Sequence, residues 1–244
     1  MKMHSALVLA AGLAVVLPAT NLLAGDITGT VTLNGAPPAE VPLPQVLGDT
    51  FCGKLYQSAP TTHHFIVGPN KELANVVVML KGISGKSTGA SAPPVELDQK
   101  ECMYGPQIMV IQTNQKLLVK NSDATLHNVH LSPTVSANAD ANAGKLNMPQ
   151  GAGAPVLTLA FPAPENFLKF QCDVHNWMFA WVTVVDHPYY AVTGKDGTFK
   201  IGNVPPGKYT ITAMHRKAGP KEGTDKEVEV KDGVTKVDFA LDVK

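Results

Sequence analysis

From residue 26 onward, short alternating or apolar runs are cut every few positions by Gly, Pro, Asn-Gly or Asp-Gly, a spacing that suits strands and leaves little room for helices. ITGTVTL alternates and stops at Asn34-Gly35, NVVVMLKG is a short apolar run, and VTVV, GTFKI, GKYTITAMH, EVEV and KVDFAL each end at a similar break. Three stretches keep neither period: APPAEVPLP, GISGKSTGASAPP and ANADANAGKLNMPQGAGAP read as loops or linkers. The expected fold class is all-β. A mature length of about 220 residues suggests two modest domains.

Within that frame the run FQCDVHNWM places Cys172, His175 and Met178 three residues apart, and NSDATLHNVH upstream supplies further imidazoles. A thiolate and two imidazoles form a trigonal plane that suits both Cu(I) and Cu(II), and a thioether adds a weak axial contact. The four residues His127, Cys172, His175 and Met178 are therefore a candidate site for one mononuclear copper ion. His130 competes with His127 for the upstream place. Three positions apart in a strand, the two point to opposite faces, so only one can face the site. Trp177 and Phe179, close to the ligands, either exclude water and tune the potential or are plain core aromatics. His63, His64, His187 and His215 lack partners at ligand spacing and read as exposed or satisfied histidines.

The first residues have the pattern of a cleavable secretory signal, residues 1–24: Lys2, an apolar run from Ala6 to Leu17, and small residues near Ala24. That run is too short for a membrane span, and no later one is long enough. A periplasmic or secreted protein is expected. Export bears on the three cysteines, because in an oxidising compartment an odd count leaves one thiol over. With Cys172 on copper, Cys52 and Cys102 remain, and a disulfide between them is the first choice over two separate buried thiols. Twenty basic and twenty acidic residues cancel, with no basic stripe, which removes electrostatic support for nucleic-acid binding.

The segment from Met103 to Asp186 resembles a cupredoxin, a Greek-key copper-binding β-sandwich. The likeness lies in YGPQIMVIQTNQKLLVKNSDATLHNVH, with its aromatic-x-Pro start and His-Asn-Val end, and in FQCDVHNWMFAWVTVV, whose C-x-x-H-x-x-M spacing is like that of the amicyanins. The resemblance implies type 1 copper held by His127, Cys172, His175 and Met178, favours His127 over His130, and assigns Asn128 to bracing the thiolate loop. Gln115 stands where the family usually has a turn glycine. Gln171 and Asp173 flank Cys172, where related oxidases and nitrite reductases carry histidines of a further copper centre, so a non-enzyme is expected.

A second resemblance covers AVTGKDGTFKIGNVPPGKYTITAMH, which is similar to the carboxypeptidase regulatory-like domain, a small transthyretin-like sandwich. The opening strand usual in that family, here DITGTVTLNGAPP, lies far upstream. The economical arrangement is a discontinuous sandwich of residues 25–85 and 187–244, with the cupredoxin domain, residues 95–186, inserted between its halves. Three consecutive units are the alternative. The expected function is single-electron transfer with an unknown redox protein partner; the alternative is copper binding or delivery, or adhesion, without redox turnover.

Overall fold

The computed structural model describes residues 23–243. The expected leader therefore falls almost wholly outside the described residues. The chain opens with β1 (Gly25–Asn34) and β2 (Val77–Leu80). Its middle runs through β3 (Val95–Lys100), β4 (Met103–Gly105), β5 (Ile108–Gln112), β6 (Leu117–Asn121), β7 (His127–Ser132), β8 (Asn147–Gln150), β9 (Leu157–Leu159), β10 (Glu165–Gln171) and β11 (Phe179–Val185). It closes with β12 (Tyr190–Val192), β13 (Thr198–Val204), β14 (Gly207–Met214), β15 (Thr224–Val230), β16 (Val234–Lys236) and β17 (Phe239–Asp242). The protein is all-β.

Four sheets result. Two belong to the middle of the chain, in the orders β5-β11-β10-β7-β8 and β4-β3-β6-β9. The other two join its ends: β1 lies between β13 and β16 and also pairs β17, and β2 lies between β12 and β14. Ile27 thus stands opposite Ile201, and Leu80 opposite Ile211. The two places where the chain passes between these regions bind each other, the Lys86 N–H donating to the Asp186 carbonyl at 3.0 Å and Asp186 accepting the Gly85 N–H through its side chain.

Burial follows the patterns. In β1 the alternate residues Ile27, Val31 and Leu33 enter a core with Phe199, Ile201 and Ile211. The unbroken apolar runs have a different cause, for they are covered on both faces. Met109 and Ile111 of β5 point into the middle core with Phe161, Phe170 and Val182, while Ile108 and Val110 meet Val77 and Met214 in a third cluster. That third cluster packs the β5 and β11 face onto the β2 and β14 face. Pro149 sits in β8, at the sheet edge where a missing N–H costs no ladder bond.

Two local expectations need revision. The stretch read as a linker from Ala137 contains a short helix, Ser136–Ala141, and then β8. Six residues carry no helical period, and this turn depends on Asn138, which is buried and donates to Glu165 and to the Ala163 carbonyl. At the β5–β6 turn the left-handed residue is Asn114, with φ of 62°. Gln115 therefore needs no glycine conformation, and its side chain instead accepts the Gln112 N–H and donates to the Pro93 carbonyl.

The expected disulfide is present, joining Cys52 in a single-turn helix to Cys102 in the β3–β4 turn across 50 residues, and Cys172 is a free, buried thiol. In the chain-entropy description such a bridge stabilises by about 4 kcal/mol. The closest approach in the terminal sandwich is at Gly29, where a Cβ would lie 1.8 Å from the Val237 carbonyl oxygen. Gly29→Ala should therefore destabilise by about 3 kcal/mol. Gly151, whose added Cβ meets nothing within 4 Å, should tolerate alanine to within about 0.5 kcal/mol. Chemical denaturation of the two variants checks the contrast.

Candidate metal centre

His127 opens β7, and strand alternation sends it inward with Val129 and Leu131 while Asn128 and His130 face the other way. Cys172 follows β10, and the loop from there to β11 is closed by two backbone bonds: Cys172 N–H to the Met178 carbonyl at 3.1 Å, and Met178 N–H to the His175 carbonyl at 2.9 Å. One tight loop so presents Cys172, His175 and Met178 to a fixed strand. The relative exposures are 0% for His127, 1% for Cys172, 3% for His175 and 0% for Met178.

Within this space His127 Nδ1 lies 2.8 Å from His175 Nδ1, and Cys172 Sγ lies 3.8 Å from His175 Nδ1. The remote nitrogens face carboxylates. His127 Nε2 is 2.9 Å from Asp123, which also accepts the backbone N–H groups of Glu101 and Cys102, both at 2.8 Å. His175 Nε2 is 3.4 Å from Asp49, which accepts the N–H groups of Phe51 and Cys52. The Cys52 N–H bond, ahead of other effects, holds the Asp49 carboxyl below the usual range. Burial, and then the neighbouring His127, hold His175 below the usual imidazole range.

These contacts test the donor set. A carboxylate already accepting two backbone N–H bonds calls for a donor from the imidazole, which puts the proton on Nε2 and leaves Nδ1 bare. Two bare nitrogens at 2.8 Å repel unless a proton or a cation lies between them. Two backbone N–H groups, from Asn128 at 3.4 Å and His175 at 3.3 Å, donate to Cys172 Sγ and fix its place in the loop. Imidazole, imidazole, thiolate and a buried thioether in the same loop form a soft set that fits copper. Asp49 and Asp123 also cluster with Cys52 and Cys102, but those sulfurs are bonded to each other and offer no thiolate.

The remaining expected residues fall into place around this group. Asn128 accepts the Asp173 N–H and donates to Asn147, tying the ligand loop to β7 and β8. Trp177 packs 5.0 Å from the His175 ring and donates Nε1–H to the Cys102 carbonyl at 3.1 Å. Phe179 packs against His64, the rings tilted and their centroids 5.4 Å apart. His130 pairs with Asp173 at 2.9 Å, and this bond foremost holds the Asp173 carboxyl well below the usual range. His187 and His215 are buried and accept the N–H groups of Tyr189 and Lys217. Sequence reasoning missed Asp49, Asp123 and Tyr104, whose hydroxyl donates to the Asn128 carbonyl at 2.7 Å and whose burial raises its pKa. For Asp123 a signal existed: it stands four residues before His127.

No protein-family model matches the sequence, and no curated protein is similar to it. Among solved structures, a Cu-containing nitrite reductase from Thermus scotoductus is 14% identical over 38% of this chain and 22% of its own length, with a TM-score of 0.32. The chain thus spans about a fifth of that enzyme. A mutant of amicyanin in its Cu(I) state is 18% identical over 44% of this chain and 97% of its own, with a TM-score of 0.29. A purple cupredoxin from Nitrosopumilus maritimus is 17% identical over 37% and 98%, with a TM-score of 0.30. Likeness this slight carries no functional argument, which rests on the chain's own residues.

Asn128→Ala removes the bonds to Asp173 and Asn147 and leaves the Asp173 N–H without its acceptor, at a cost of about 1–3 kcal/mol. Denaturant unfolding of the metal-free protein should show that loss. An Asn128→Asp variant keeps the acceptor but sets a carboxylate against Asn147 Oδ1 and Asp173, and should recover none of it.

Proposed function

We propose that this is an exported mononuclear copper protein that carries single electrons between redox proteins. The observation that carries the reading is the convergence of two imidazole Nδ1 atoms and one thiol in a space closed to solvent, with Met178 in the same loop. Copper bound there supplies a one-electron couple between Cu(I) and Cu(II), served by a trigonal donor set that suits both states. The chain's part is to fix geometry. Asp123 and Asp49 set the imidazole tautomers, Asn128 holds the loop, and Trp177 shields the His175 ring. Burial of all four side chains also opposes rapid exchange of the ion, which weighs against delivery as the purpose.

A redox partner needs a surface close to the centre. Val174, between Cys172 and His175, and Leu126, next to His127, are exposed by 52% and 49% and offer an apolar landing beside the ligands. The division into an inserted cupredoxin domain, residues 95–186, and a regulatory-like sandwich of 25–85 and 187–244 belongs to this proposal. The pairing of β1 and β2 with strands beyond residue 187 supports it. Among the described residues no helix is long and apolar enough to cross a membrane. Export rests on the leader pattern alone, and the second sandwich is read as an adaptor.

Protein loaded with Cu(II) should bind one ion per chain and show an intense visible thiolate-to-copper band. Cys172→Ser should abolish the band, and Met178→Leu should keep the copper and shift the reduction potential. A serine variant that retains the band overturns the ligand set. Rapid electron self-exchange together with slow loss of copper to a chelator is expected of a carrier. The opposite pair of rates identifies a delivery protein.

A further inference from the structure

The disulfide stands behind both imidazoles at once. Cys52 donates its N–H to Asp49 at 2.7 Å, and Asp49 faces His175 Nε2. Cys102 donates its N–H at 2.8 Å to the same Asp123 oxygen that lies 2.9 Å from His127 Nε2. The Cys102 carbonyl accepts from Trp177, whose ring packs on His175. Three separate contacts of the imidazole pair therefore end on the backbone of the two bridged residues.

Asp123 stands just past the end of β6, its N–H donating to Asn121 Oδ1 at 2.9 Å, but Asp49 has no strand beside it. Asp49 lies between two single-turn helices, Pro44–Val46 and Cys52–Leu55, in a segment that belongs to none of the four sheets. Opposite it, Glu101 and Cys102 hold φ values of 54° and 53°, a left-handed turn that Asp123 secures by accepting both of their N–H groups. The covalent link between these two loops is the S–S bond, and the buried Cys52 and Cys102 are packed in the same core as Cys172 and Met178.

We propose that the Cys52–Cys102 disulfide is a positioning element of the metal centre, holding Asp49 and Asp123 against the remote nitrogens of His175 and His127 so that both Nδ1 atoms converge. This rests on the copper reading above. Without the bridge the Asp49 loop keeps the Tyr56 hydroxyl bond to the Glu101 carbonyl and its core packing but loses its covalent tie, and the His175 ring gains rotational freedom. Partners of this kind fix ring orientation and tautomer, and their loss typically weakens metal binding about 10- to 100-fold.

The test uses the full chain in two double variants. Cys52→Ser with Cys102→Ser removes the bridge; Asp49→Asn with Asp123→Asn keeps it and removes the charges facing the imidazoles. Both should weaken Cu(II) binding about tenfold or more and change its electron paramagnetic hyperfine coupling in the same direction. In the metal-free protein, imidazole N–H signals that exchange slowly in the wild type should exchange quickly in both. A bridge that is merely structural lowers the unfolding temperature of the serine pair and leaves affinity, hyperfine coupling and N–H exchange unchanged, which overturns the proposal. If the serine pair does not fold, Cys52→Ala with Cys102→Ala, which removes the bridge without placing hydroxyls in the apolar core, is read in its place. Failure of the wild type to bind copper overturns the functional reading instead, and metal-free N–H exchange then decides the role of the bridge.

Discussion

Two imidazole nitrogens 2.8 Å apart, on rings that are all but closed to water, are the constraint on which the rest of the centre depends. With both protons on Nε2 the two facing lone pairs repel, and neither ring finds solvent. The rings are held from behind, by Asp123 on one and Asp49 on the other, and from the side, by the backbone N–H groups of Asn128 and His175 on the neighbouring sulfur. A donor set assembled before any ion arrives pays little reorganisation when the ion changes charge, which is what an electron carrier requires.

Such holding needs a scaffold that does not give. The Cys172–Met178 loop is anchored between β10 and β11, strands at the middle of a five-stranded sheet, while His127 comes from β7 beside them. The apolar face of β5 then locks that sheet onto β2 and β14 through Ile108, Val110, Val77 and Met214. The strands that pair with β1 and β2 all follow residue 187, so the sheets at the chain's two ends are built from pairings distant in sequence. Pairings so distant in sequence make for slow folding, and the two chain crossings are tied to each other through Asp186.

How much of this the sequence discloses follows from how local each feature is. The strands are legible from period and turn residues, and the residues that meet at the centre are legible because three of them share one loop at fixed spacing. The disulfide is legible by cysteine count in an exported chain. The carboxylates are another matter. Asp49 and His175 are brought together by a loop that belongs to no sheet, and nothing in GDTFCG hints at an imidazole as neighbour. The helix at Ser136–Ala141 is equally hidden, since six residues have no period and its anchor, Asn138, bonds to Ala163 and Glu165 far along the chain.

The carboxylates also bear on what kind of centre this is. An imidazole that donates Nε2–H to a carboxylate is a stronger electron donor through Nδ1 than one that donates to water, so both rings should favour the more highly charged ion. Asp123 at 2.9 Å acts on His127 more directly than Asp49, at 3.4 Å and partly exposed, acts on His175. In the proposed copper site the two rings would therefore be unequal ligands despite their matching chemistry. The more weakly held ring, His175, is also the one against which Trp177 packs and beside which Val174 opens to the surface. Geometry thus separates an inner imidazole held at short range by Asp123 from one, more loosely faced by Asp49, that lies toward the protein's exterior.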